Sequence, residues 1–206
     1  MNYIHIVGNP TGEFSENHVI KINGIDKVVY ETHIISKTAS GGHNKIKVLV
    51  NDKSKIMNFF RNANHVISVY GDYRSFNKDI DNKRISEMYI KVSEAKRVIR
   101  SSKHINKVEM NGEIISEIIE KHTKSGLVIE TRLRVKRENN PHKKYDYIQL
   151  VAYGDMAKKM LGLEKYDKIS ITGRVHSRDY EKKISDNEIK KKTAYEVAVY
   201  KLKILN

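Results

Sequence analysis

A chain of 206 residues, 39% hydrophobic and 31% charged, has material for one large or two small domains. It contains no apolar run near the ~18 residues that a membrane-spanning helix requires. Lys and Arg outnumber Asp and Glu by 39 to 25, a formal charge of +14, which points to a polyanionic partner such as nucleic acid, an anionic membrane surface or an acidic protein. The absence of cysteine excludes disulfides, thiolate nucleophiles and cysteine-based zinc sites. The opening MNYIHIVGNP carries no secretory pattern, so a cytoplasmic location is expected.

The first strand-like alternation is NYIHIVG (2–8), followed by YETHI (30–34) and KIKVLV (45–50). A short helical stretch, DKSKIMNFF (52–60), separates these from two more strands, HVISVYGDYRS (65–75) and ISEMYIKV (85–92). After RSSKHIN (100–106) the same order returns: NKVEMNG (106–112), IETRL (129–133), YIQLVAYG (147–154), a helical GDMAKKMLG (154–162), DKISITGRVHS (167–177) and TAYEVAVYKLKI (193–204). The chain therefore reads as β-β-β-α-β-β twice, with residues 1–100 and 107–206 as the two units and 101–106 as a short linker. Both units are basic, with 16 cations against 10 anions up to residue 100 and 23 against 15 beyond it.

Five strands with one helix between the third and fourth is the order of the OB-fold barrel, so the expected fold is all-β, two tandem OB-folds. The second unit resembles the bacterial single-stranded DNA-binding protein family. The resemblance is carried by NKVEMNGEI, TKSGLVIETRLRVKR, YDYIQLVAYGDMAKKM, ISITGRVHSRDY and YEVAVYKLKIL, nearly all of 106–205, and is most specific in the third strand running into GDMA. The first unit looks like a diverged copy.

In YDYIQLVAY (145–153) Ile148, Leu150 and Ala152 form a core row, whereas Tyr145, Tyr147, Gln149, Val151 and Tyr153 point the other way. The resemblance implies that Tyr147, Tyr153 and Tyr180 stack on bases; the other reading is that tyrosines pave half-buried strands. Basic residues share that register, with Arg132, Arg134 and Lys136 on the second strand and Arg174, His176 and Arg178 on the fourth, as a groove that tracks phosphates would need. In the first unit the outward residues are His33, Ile35 and Lys37, then Lys45 and Lys47, then Tyr70, Asp72, Arg74 and Phe76, with Tyr30 and Tyr73 inward. Lys37, Lys45, Lys47, Arg74 and Phe76 are its candidate DNA contacts. It carries lysines where the resemblance would put stacking aromatics, which suits either phosphate contact or assembly. The loop 75–84 reads as compact, and the lysine-rich loop 177–192 as either a groove jaw or a solubilising segment.

Nine histidines show no H-x-x-x-H or H-E-x-x-H spacing, and no P-loop, G-x-S-x-G or G-x-G-x-x-G occurs, so neither an enzyme nor a metal or cofactor is expected. The expected function is sequence-independent binding and protection of single-stranded DNA in replication, repair or DNA transfer. The alternatives are an assembly or primosome-type accessory with weak DNA binding and an RNA-binding OB module. The resemblance implies four OB-folds per working unit, hence a homodimer. The family ends in an acidic recruiting tip, whereas this sequence stops at KLKILN, so no such tail is expected.

Overall fold

The computed structural model describes residues 1–206 apart from 23, 39, 52–53, 81–82, 139–144, 186–187 and 206 and, for residues 22, 78–80, 83–85, 182–185 and 188–192, the backbone alone. The first repeat comprises β1 (Asn2–Pro10), β2 (Ser15–Ile22), β3 (Ile25–Lys37), β4 (His43–Asn51), α1 (Met57–Phe60), β5 (Val66–Ile80) and β6 (Lys83–Val98). The second comprises β7 (Ile105–Ile114), β8 (Ile119–Thr123), β9 (Gly126–Lys136), β10 (Tyr145–Tyr153), α2 (Gly154–Met160), β11 (Lys168–Ser185) and β12 (Glu188–Ile204).

Alternation in sequence becomes alternation in burial. In β4, Asn44, Ile46, Val48 and Val50 are buried while His43 and Lys45 are exposed. In β10 the expected row of Ile148, Leu150 and Ala152 is fully buried. Each repeat closes its sheet into a ring: β1–β5–β6–β4–β3 returns to β1, and β7–β11–β12–β10–β9 returns to β7. One pair in each ring, β4–β6 and β10–β12, is parallel, since the helix and a whole strand intervene between its members. These are the two five-stranded barrels expected, with α1 placing Met57 and Phe60, and α2 placing Ala157 and Met160, into the core. Each fully buried Ile, Leu or Phe in that core contributes roughly 1.5–3 kcal/mol.

Two features depart from the five-strand reading. A sixth strand in each repeat, β2 or β8, folds back as a hairpin on β3 or β9. The segments expected as loops between the last two strands are instead paired arms, since β5–β6 stays paired out to Ile80 and Lys83, and β11–β12 out to Ser185 and Glu188 with a register shift between Lys183 and Ser185. The side chains of 182–192, which carry most of the lysines of the longer arm, lie outside the described residues. Each arm leaves its barrel at a register shift beside a glycine, Gly71 or Gly173. There the backbones approach so closely that a Cβ on Gly71 would stand 2.1 Å from the Lys91 carbonyl oxygen and one on Gly173 2.8 Å from that of Ala198.

The repeats are joined edge to edge by β1 and β7, antiparallel from Asn2↔Met110 to Val7↔Ile105, so one sheet runs through both barrels. They are also joined where each arm crosses the other barrel, through two matching sets of bonds. The Ser75 amide donates to Asp146 Oδ1 (2.7 Å) and the Tyr147 amide to Ser75 Oγ (2.9 Å). On the other side the Ser177 amide donates to Asn44 Oδ1 (3.2 Å) and the Lys45 amide to Ser177 Oγ (2.9 Å). The two sets differ in charge: Asp146 is fully buried and gathers the guanidinium groups of Arg74 and Arg137, whereas Asn44 is neutral.

Candidate nucleic-acid interface

The outer face of the second barrel runs across β9, β10, β12 and β11 in that order. Tyr147 (36% exposed) and Tyr153 (44%) stand on β10, and Tyr180 (38%) on the β11 arm. Cross-strand pairing sets Arg134 opposite Tyr147 and Arg132 opposite Gln149, and the Arg134 guanidinium lies 5.0 Å from the centroid of the Tyr145 ring. Burial and the charge of Glu196 raise the Tyr153 phenol above its usual pKa, while Arg178 and Arg174 act to lower it. Val151, expected on this outer face, is buried against Val128 and Ala198 and forms an apolar floor between the exposed rings.

Three acidic groups on or beside this face are already occupied. Glu130 pairs with Lys121 (2.7 Å), Glu113 with Arg134 (2.7 Å), and Glu196 accepts from or faces His176 Nδ1 at 3.0 Å. Arg132, Lys136, Arg174 and Arg178 are exposed and have no ion pair among the described residues. Their charge is therefore open to an outside anion.

The equivalent face of the first barrel is closed to one. Lys47 is 11% exposed at its side chain and bonded to Glu31 (2.9 Å) and Glu87 (3.0 Å). Burial and the neighbouring Lys45 pull His33 down to a pKa of about 4, so it carries no charge near neutral pH. Arg74, expected to face solvent, is 7% exposed and held by Asp72 and Asp146. Its face is covered by the second repeat, which strand alternation alone does not reveal. Phe76 is half-buried and stacks on His18 at 5.2 Å. Lys37 and Lys45 remain exposed, at the strand ends nearest the second repeat, where the Lys37 amide donates to His104 Nδ1 and the Lys45 amide to Ser177. Tyr73 is buried and Tyr30 packs against the core, as their inward register suggested.

The sequence reading did not foresee the acidic partners Glu31, Glu87 and Glu113, because each meets its cation across strands rather than along one. It also gave no role to Asp146, an acid that strand alternation puts in the core row of Ile148, Leu150 and Ala152. Among the described residues no cluster of His, Asp or Glu could hold a metal ion, and no helix is long and apolar enough to cross a membrane.

Residues 105–205 match the model of the single-strand binding protein family. The fold of the whole chain is similar to that of the wild-type single-stranded DNA binding protein from Thermus aquaticus, with TM-score 0.67 at 16% identity over 100% of this chain and 93% of that one. A deletion mutant of the same protein gives TM-score 0.70 at 14% identity, over 100% and 95%. No curated protein matches the chain in sequence. A tandem of two OB-fold barrels is thus the architecture of the chain, and its second repeat belongs to the single-strand binding protein family.

Proposed function

We propose that the chain binds single-stranded DNA without general sequence preference, as a protecting protein in replication, repair or DNA transfer, and catalyses no reaction. The second repeat holds the strand and the first braces it. The observation that carries this reading is the outer face of β9, β10, β12 and β11, where three exposed tyrosines lie among four cations with no internal ion pair among the described residues. Every base offers a π-face to such a platform, at roughly 1–3 kcal/mol per stacked base, while the cations track the phosphates. Family membership of the second repeat supports the same reading, and a cytoplasmic or nucleoid location accords with it. Two chains pair to bring four barrels into one working unit.

Retardation of labelled oligo-dT and of a duplex of equal length, compared as salt is raised, tests it. Paired bases hide their π-faces, so oligo-dT should stay bound at a salt concentration where the duplex is released. Parallel loss of both would reduce the protein to a polycation. Tighter binding of oligo-U than of oligo-dT would make it an RNA-binding module, and negligible binding of either would leave the assembly role.

A further inference from the structure

At one margin the first barrel still presents an unpaired cation, and it does so beside the second repeat. A cavity of about 480 Å³ opens there between the root of the β5–β6 arm and the end of β9. Asp72, Arg74, Tyr89 and Lys91 form its wall on the first repeat, with Asn2 beside them, and Lys136, Arg137 and Glu138 form its wall on the second. The volume falls within the ~300–1,000 Å³ of small-ligand sites, but such sites are lined mostly by apolar side chains. No aliphatic side chain lines this one among the described residues, which suits a charged group.

The acids at this cavity already have cations. Asp72 and the buried Asp146 hold Arg74, Asp146 also holds Arg137, and Glu138 lies 3.6 Å from the Met1 amine. Lys91 and Lys136 are exposed and have no ion pair among the described residues, so uncompensated positive charge stands on both walls. Burial raises the Tyr89 phenol above its usual pKa, with Arg137 acting against it, so its hydroxyl keeps its proton at neutral pH and can donate it. Asn2 is engaged with the Tyr73 backbone, donating to its carbonyl (2.7 Å) and accepting from its amide (3.1 Å), and so fixes the wall.

The repeat gives this position a counterpart. Counted from Gly71 and Gly173, strand register makes Asp72, Arg74, Tyr89 and Lys91 equivalent to Arg174, His176, Glu196 and Ala198. Asp72 stands across from Lys91, and Arg174 from Ala198. Each repeat therefore keeps one unpaired cation at this cross-strand position, supplied by β6 in the first and by β11 in the second. Lys136 connects the cavity to the tyrosine face, since it ends the outward β9 row of Arg132 and Arg134 and also lines the cavity. A backbone that follows that row arrives opposite Lys91. We propose that the cavity takes a phosphate group of the bound strand, held between Lys136 and Lys91 with the Tyr89 hydroxyl as a further donor. The strand's path then continues from the second repeat onto the first. This rests on the strand-binding reading above and adds to it a contact that the tyrosine face does not make.

Fluorescence anisotropy with end-labelled oligo-dT of about 6 and about 30 nucleotides tests it, because a single barrel takes ~4–16 nucleotides. The tyrosine face alone serves the short oligomer, and only the long one reaches the cavity. In Lys91→Gln the long oligomer should bind about fivefold more weakly at about 0.1 M salt, with a salt slope shallower by about 0.7, as one lost phosphate contact on a single strand requires. The short oligomer should bind as it does to the wild type. Lys159→Gln, at an exposed lysine of α2 that lines neither the face nor the cavity, removes the same charge and should leave both affinities unchanged. Both lengths are read on one preparation, so any partly unfolded fraction cancels. Equal weakening of the two lengths, no weakening of either, or the same loss in Lys159→Gln would overturn the assignment while leaving strand binding intact. Calorimetry in which pyrophosphate binds the wild type but not Lys91→Gln, with no length effect, would make the cavity a site for a free phosphate and overturn the strand path. Failure of the wild type to bind either oligomer would overturn the strand-binding reading together with this one.

Discussion

Tyr147 and Phe76 both stand on outer strand faces, yet they differ in what already covers them. The Phe76 ring is stacked on His18, whereas the Tyr147 ring is more than a third exposed beside Arg132 and Arg134. A base reaching Phe76 must displace a ring; a base reaching Tyr147 displaces only water. Replacing Tyr147, Tyr153 or Tyr180 by Ala should therefore cost roughly 1–3 kcal/mol of affinity for oligo-dT, and Phe76→Ala well under 1 kcal/mol. Titrations of labelled oligo-dT, with circular dichroism to confirm folding, would read this. Small and equal losses at all four positions would mean that the tyrosines merely pave the strands. The sequence identified these rings because alternation assigns a side chain to a face. It could not identify Arg74 as buried, because alternation does not say what packs on that face.

Most strands were legible in the sequence because one face of each is apolar. KIKVLV and YIQLVAY declare themselves as β4 and β10 by their buried rows. β8, IEKHT, is exposed along its whole length and shows no such row, so backbone pairing to β9 alone makes it a strand. The same holds for the arm tips, whose ladder hydrogen bonds leave no trace in composition. The arm crossing at Asp146 was equally hidden, since its partners Ser75 and Arg74 lie 71 and 72 residues away. That crossing has a measurable weight. Asp146→Ala would leave Arg137, nearly buried, without its carboxylate and Arg74 with Asp72 alone, a loss of about 3–5 kcal/mol. Asn44→Ala at the matching neutral crossing strips one acceptor from the Ser177 amide and should cost about 1–3 kcal/mol. Urea unfolding of the two variants would test the order, and an Asp146→Ala protein no less stable than Asn44→Ala would remove the ionic clamp from this account.

At the scale of the whole molecule, the tandem arrangement lets the two barrels diverge while remaining in register through β1 and β7. The second has kept an open cationic face, and the first has filled its own with Glu31, Lys47, Glu87 and the Arg74 ion pairs. The repeat itself was visible in the sequence; the neutralisation was not, because it arises from residues on β3, β4, β5 and β6 and, through Asp146, on β10. Closing both rings leaves β2 and β8 as the ends of the sheet, and β8 carries Glu120 and Lys121, charges that disfavour edge-to-edge pairing. The broad surface left for self-association is the back of the six strands β6, β5, β1, β7, β11 and β12. There His5 stacks on Tyr70 at 4.2 Å, Tyr3 lies 6.3 Å from the same ring, and Tyr200 is 46% exposed. Aromatic rings clustered on such a face favour burial against a second copy. Static light scattering at micromolar concentration should then return about twice the 23.9 kDa of the chain, and Tyr70→Glu should return it to the monomer mass. A wild-type particle of 23.9 kDa would instead mean that one tyrosine-bearing barrel per chain is the whole binding unit.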